Sequence, residues 1–403
     1  MHSGTLDGQL VGRAFEKRFE RALREISAIS RSVAETVLPY YLARKGLVWT
    51  PSSDDQSALG TFDVGSSAFQ ALGMLRRSKF FRDLLADLSD GGGTNRATRH
   101  PNLVCHLDDF SFIDVAHADE RTLARIDELA AFLASLPTSH RVFEGIELFV
   151  PERHQIALCV WRRILPLCHS RNISIYGHAP SSVHDGEASA FPAFCLPSVR
   201  RLYISHLAFS QSHWRFALSS IRCPSLEAVS VSTQAPISAV TEFLSHHSEV
   251  DSIRSIRYLP GSTTVEATTF QSISLPDLRT LYGCHERVAP LLGVIDSKAN
   301  IKNVHLDSVH GTYRTWFEGV LRCIPNQDLQ MLSIGYVGPK TDEGAPGMES
   351  AMSRFQSEIL PRRLRRYEQN QLDYMSINLT NVSKQDAQVS LTFSQYIQRA
   401  NYF

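Results

Sequence analysis

The sequence predicts an α/β solenoid, with parallel strands lining a concave side, helices outside, and a helical region ahead of them. Three observations carry this expectation. A short apolar hexamer recurs at near-constant spacing. Between its copies the apolar period switches from two to about 3.6. The residue between the last two apolar positions of each copy is polar or amphipathic.

The hexamer has apolar or small residues at its first, fourth and sixth positions. It occurs at Phe143–Leu148, Val199–Ile204, Leu226–Val231, Ile253–Tyr258, Leu278–Gly283, Ile301–Leu306, Leu329–Ile334 and Leu372–Ile377, with a partial copy at Ile173–Ile175. Its fourth position falls at 146, 173, 202, 229, 256, 281, 304, 332 and 375. All intervals but the last lie within the 20–29 residues of leucine-rich repeats. One such hexamer is commonplace; nine in near register are not. The spacing therefore predicts a right-handed leucine-rich-repeat-type solenoid over residues 96–390, a helical N-terminal region over 1–95 and a tail over 391–403.

Helical faces fill the intervals. Ile156, Val160, Trp161, Ile164 and Leu165 share one face, as do Trp214, Ala217, Leu218 and Ile221. The pattern returns with Ile237, Val240, Phe243 and Leu244, then with Val288, Leu291, Leu292 and Ile295. Two later faces run from Tyr313 to Ile324 and from Met348 to Ile359. Parallel strands joined by helical crossovers coil right-handed. A doubly wound sheet is covered on both faces and has near-continuous apolar strands. Here Glu147, Ser174, Tyr203, Ser230, Arg257, Tyr282, His305, Ser333 and Ser376 interrupt them, so one face is expected to be wet.

Ahead of the repeats, Val11, Phe15, Phe19, Leu23, Ile26, Ile29, Val33 and Val37 step by three or four as on a helix that Pro39 ends. A second helix is expected through Phe69, Leu72, Leu75, Phe80, Leu84, Leu85 and Leu88, and Gly91–Gly93 is a break. His100–Leu107 reads as a degenerate first strand. A helix over Glu120–Leu136 would turn Leu123, Ile126, Ala130 and Leu133 inward.

Charge and motifs exclude more than they assign. Lys plus Arg equals Asp plus Glu at 41 each, so no net field draws nucleic acid or anionic lipid. Seven scattered cysteines with no Cys-x-x-Cys suit reduced thiols in a cytoplasmic or nuclear protein. Met1–Gln9 lacks the apolar core of a secretory signal, and no stretch approaches the roughly 20 apolar residues that span a bilayer. The phosphate-loop, nucleophile-elbow, zinc-helix and dinucleotide motifs do not occur. Cys105–His106, Cys168–His169 and Cys284–His285 lack the short paired spacing of zinc sites and the oriented base of a thiol nucleophile. Arg362–Arg366 reads as a solvated helix face. No catalytic, cofactor or metal residue is expected.

In each repeat strand the apolar pair points inward and its alternates face the concave side. That places Arg201, Tyr203, Arg257, Tyr282, Asn303, His305 and Tyr374 on a surface expected to hold a protein target, since Tyr and Arg dominate interface energetics.

The run from Ile26 to Leu47, ISAISRSVAETVLPYYLARKGL, resembles the second half of an F-box in fungal F-box proteins of the mushroom lineage. The stretches LPSVRRL at Leu196–Leu202 and LPDLRTL at Leu275–Leu281 resemble the repeat signature of the same proteins. The family's opening Leu-Pro-x-Glu segment has no match before Arg24. The resemblance implies a substrate receptor of a cullin ubiquitin ligase, docked on a Skp-type adaptor through Ile29, Val33, Val37 and Leu38. The alternatives are a stand-alone repeat scaffold and, third, an enzyme without a recognisable motif.

Overall fold

A computed structural model describes residues 42–52, 59–77, 81–82, 100–107, 118–137, 142–177, 191–256, 272–309, 331–337 and 374–380, apart from 45, 67, 233 and 297–298. The chain is mixed α/β with mostly parallel strand pairing, and divides into two compact units, Met1–Gly177 and His178–Phe403.

The first unit carries strands β1 (Leu47–Pro51), β2 (Gly60–Val64), β3 (Asn102–His106), β4 (Phe143–Val150) and β5 (Ser170–Gly177). β1 runs antiparallel to β2, and β2 to β5 are parallel in chain order. The region 1–95, expected to be helical, thus contains two strands between its expected helices. Their aromatic and β-branched residues, Val48, Trp49, Thr50, Thr61, Phe62 and Val64, suit a pleated surface better than a helix. Trp49 packs on Phe62 at 4.4 Å between ring centroids and crosses Gly60 so closely that a Cβ there would stand 2.6 Å from its ring.

Register explains the burial. Phe62, Leu103, Ile146 and Ile173 align across β2–β5, as do Val64, Cys105, Leu148 and Ile175, and all eight are buried. The period-2 pattern that located β4 and β5 therefore extends two strands upstream. Over this apolar side lie α1 (Leu72–Arg77), α2 (Ala118–Ala134) and α3 (His154–Cys159), linked to the sheet by the ring series Phe62–Phe81–Phe132 at 6.0 and 5.7 Å. Asp119 and Glu120 in the first turn of α2 suit the positive end of its dipole. α2 buries Thr122, Ile126, Leu129, Phe132 and Leu133, a face rotated slightly from the expected one, leaving Leu123 and Ala130 half-buried. α3 widens into a π-helical stretch at Val160–Ile164 and ends in a 3-10 turn at Leu165–Leu167. This change of pitch keeps Ile156, Val160, Trp161, Ile164 and Leu165 all buried.

The second unit holds the short parallel pair β6 (Phe194–Cys195) and β8 (Ile221–Arg222). Its larger sheet runs, all parallel, through β7 (Arg201–Ser205), β9 (Ala228–Ser232), β10 (Ser252–Ile256), β11 (Thr280–Gly283), β12 (Asn303–Val309), β13 (Met331–Val337) and β14 (Tyr374–Thr380). Helices α4 (Gln211–Ser220), α5 (Ile237–Ser245) and α6 (His285–Val294) alternate with strands, α4 packing on α5 and α5 on α6. One turn recurs ahead of four strands. Val199 N–H bonds to Leu196 O, Leu226 to Cys223, Val250 to His247 and Leu278 to Leu275, at 3.2, 3.1, 3.4 and 3.2 Å. All eight of these residues are buried.

This turn corrects one repeat. Leu202, Val229, Ile253, Leu281, Val304, Leu332 and Met375 align across the sheet, so Ile253, not Ile256, holds the central apolar position. The hexamer of this repeat begins at Val250, whose burial matches that of Val199 and Leu226.

Candidate functional site

Because side chains alternate along a strand, register sorts the second unit's polar residues into columns opposite the buried ones. Arg201, Ala228, Ser252, Thr280, Asn303, Met331 and Tyr374 align in one column. Tyr203, Ser230, Arg254, Tyr282, His305, Ser333 and Ser376 align in the next. The position expected for Arg257 is thus held by Arg254, a consequence of the shifted frame; Arg257 lies outside the described residues. Arg201 is exposed, while Tyr203, Tyr282, Asn303 and His305 are half-buried. Tyr374 is placed in its column by its backbone alone.

The second column is a connected polar–aromatic strip. The Arg254 guanidinium carbon sits 4.4 Å from the centre of the Tyr282 ring, a cation–π geometry. Tyr282 and His305 rings lie 5.8 Å apart, and burial pulls His305 below the ordinary histidine pKa, favouring the neutral ring. Asn303 Nδ2 donates to Thr280 Oγ1 at 3.3 Å in the neighbouring column. At its edge Asp251 is raised above the usual carboxylate value, by burial first and the nearby Glu227 next, against the pull of Arg279 and Arg201.

The first unit presents a comparable strip that sequence reading did not single out. Asp63, Val104, Glu147 and Ser174 align across β2–β5, followed along the strands by His106, Phe149 and Tyr176. His106 stacks on Phe149 at 4.7 Å and 6°, and Phe149 on Tyr176 at 5.0 Å and 16°. His106 Nε2 lies 3.4 Å from Asp63 Oδ1. Glu147 was legible as a polar interruption of β4. The ladder required knowing that β3 joins the sheet in register.

Chemistry-bearing residues elsewhere are built into the core. Cys105, Cys168, Cys223 and Cys284 are buried thiols, and Cys195 is exposed. Burial pushes the Cys168 and Cys223 thiols up to about 12, the latter aided by Cys195, and raises Cys105 well above its usual value, so all three stay protonated at neutral pH. Cys105 and His106 point to opposite faces of β3, one buried and one solvent-facing, as alternation requires. Ser210 and His213 pair at 2.6 Å but are sealed in the core, where Ser210 also accepts from His213 N–H as the N-cap of α4. Among the described residues, no group of three His, Cys, Asp or Glu could hold a metal ion, and no helix is long and apolar enough to cross a membrane.

The adaptor-docking residues Ile29, Val33, Val37 and Leu38 lie outside the described residues. No protein-family model and no curated protein matches the chain.

Proposed function

We propose that this chain is a protein-binding repeat protein, a leucine-rich-repeat-type solenoid whose solvent-facing strand columns hold a protein target. The single observation that carries this reading is the division of labour across the strands. Residues at one parity are buried in aligned rows, and those at the other, the buried Ser230 excepted, form strips rich in Tyr, Arg and His. Such residues supply most of the energy in protein interfaces. The recurring turn ahead of β7, β9, β10 and β11 supports a stacked-coil architecture. The F-box-like run at Ile26–Leu47 extends the proposal to a substrate receptor of a cullin ubiquitin ligase, acting without a chemical step of its own.

Co-expression with a Skp-type adaptor tests the ligase part. The expected result is co-purification that Leu38→Asp abolishes. Absence of the adaptor from the purified chain, or its persistence with Leu38→Asp, would sink the F-box assignment and leave a stand-alone interaction scaffold.

A further inference from the structure

We propose that the solvent-facing columns of the first unit bind a basic segment of a partner protein, a lysine or arginine head meeting Glu147 while its stem lies along the His106–Phe149–Tyr176 ladder. This rests on the protein-binding reading of the strand faces and adds the chemistry of the partner.

Apart from His106, the charged side chains of these columns are acidic. Asp63 and Glu147 supply carboxylates, and the aligned positions Thr61, Asn102, Gly145 and Asn172 precede them on the same face. No Lys or Arg stands in these columns. Asn172 donates its amide N–H to Glu144 O at 3.3 Å, which leaves Oδ1 buried without a partner among the described residues. A carboxylate at Glu147 that no Lys or Arg meets among the described residues calls for a donor, and a cationic one at that.

Glu147 is the focus. It makes no hydrogen bond and no Lys or Arg pairing among the described residues. Burial raises its pKa, against the pull of His106, so its charge stands partly desolvated in the free protein. His106 is itself engaged by Asp63 at 3.4 Å. An arriving ammonium or guanidinium would supply the counter-charge that the chain does not.

The ladder determines how such a side chain lies. Rings stacked at 6° and 16° cover one another's faces, so Phe149 offers its edge rather than its π-face. What it presents is a rigid apolar rail about 7 Å along β4 from Glu147, two residues at the rise of a strand. Long basic side chains bury their methylenes on such surfaces while keeping the charged head at a polar group. An acidic segment would meet two like charges and gain nothing from the rail.

The test is fluorescence anisotropy at low salt with two labelled octapeptides, one alternating lysine and glycine, the other glutamate and glycine. The 403-residue chain should bind the lysine peptide saturably, and more weakly as salt shortens the screening length. Glu147→Gln, with unchanged circular dichroism, should weaken binding at least about fivefold, or roughly 1 kcal/mol. Phe149→Ala should weaken it too, whereas Arg254→Gln in the second unit should leave it within about twofold. No saturable binding, equal binding of the glutamate peptide, a smaller effect of Glu147→Gln, or no effect of Phe149→Ala would overturn the proposal. A chain that binds the adaptor but not the lysine peptide refutes this inference alone. One that binds the peptide and not the adaptor refutes only the ligase assignment.

Discussion

Adjacent residues of β7 should differ sharply in what they contribute. Leu202 is 1% exposed and aligned with Val229, with Ile204 fully buried beside it. Tyr203, between them, belongs to the solvent-facing strip. Leu202→Ala removes three carbons from a packed row and leaves a cavity, a change that costs about 2–5 kcal/mol. Against a total stability of about 5–15 kcal/mol for a typical domain, that is a large fraction. Tyr203→Ala removes a half-buried ring from the outer side and should cost about 1 kcal/mol or less. Leu202→Asp goes further, because it drives an unpaired carboxylate into the apolar row and should unfold the neighbouring strands. Urea unfolding followed by circular dichroism separates the two positions. The midpoint of Leu202→Ala should fall well below that of Tyr203→Ala, with the slope unchanged if the transition stays two-state. Equal midpoints would refute the assignment of buried and solvent-facing parity, and the proposed binding strip would fall with it.

His247 should behave as a structural, neutral histidine. Its Nε2 accepts from Cys223 N–H at 2.9 Å and its Nδ1 donates to Phe243 O at 2.6 Å. Replacement by Ala orphans a buried N–H and should cost about 1–3 kcal/mol in urea unfolding at pH 8; a cost under about 0.5 kcal/mol would contradict these bonds. Its folded-state pKa is lowered, by burial first and by Arg222 and His246 further, against the bond to Phe243. The unfolded chain therefore binds the proton more readily. The stabilising effect is full above the unfolded value of about 6.5 and is lost as pH falls below it. The gap between wild type and His247→Ala should narrow below that pH, and a gap that widens would reverse the protonation assignment. Thiol alkylation of the native chain, followed by mass mapping, should label Cys195 before Cys105, Cys168, Cys223 or Cys284. Labelling of Cys105 or Cys168 at a comparable rate would show that the rows β3–β5 are not packed as described.

The inward rows were readable because burial on one face leaves a period of two. That pattern located β4, β5, β7, β9, β11, β12, β13 and β14. It slipped at β10, where Ile253 and Ile256 stand three apart and Ser255 fills the site that Val231 and Ile204 hold in neighbouring strands. A frame judged by its apolar pair chose the wrong isoleucine. Val250, sealed by the recurring turn, marks the right one. β1 and β2 escaped notice because one antiparallel hairpin gives no repeat to compare. The expected helix faces are buried at Trp214, Ala217 and Leu218 in α4 and along α3, whose change of pitch keeps them inward. In α2 the face is turned slightly, and in α6, with Pro290 inside, Val294 is buried and Leu292 only half so.

Solvent-facing columns resist sequence reading for a deeper reason. An inward residue answers to its neighbours, so its type is constrained to apolar and its position announces itself. The residue beside it faces outward, so packing does not fix its type. His106, Phe149 and Tyr176 are separated by 43 and 27 positions, and nothing local links them until register brings the three rings into one stack. His247 shows the converse. It stands in the recurring turn where Leu196 and Leu275 stand in other repeats, and a polar ring fits that apolar position because both its nitrogens are hydrogen-bonded. Glu147, on the outer face, has the His106 ring as its charged neighbour and no Lys or Arg among the described residues, which leaves room for the cationic partner we propose.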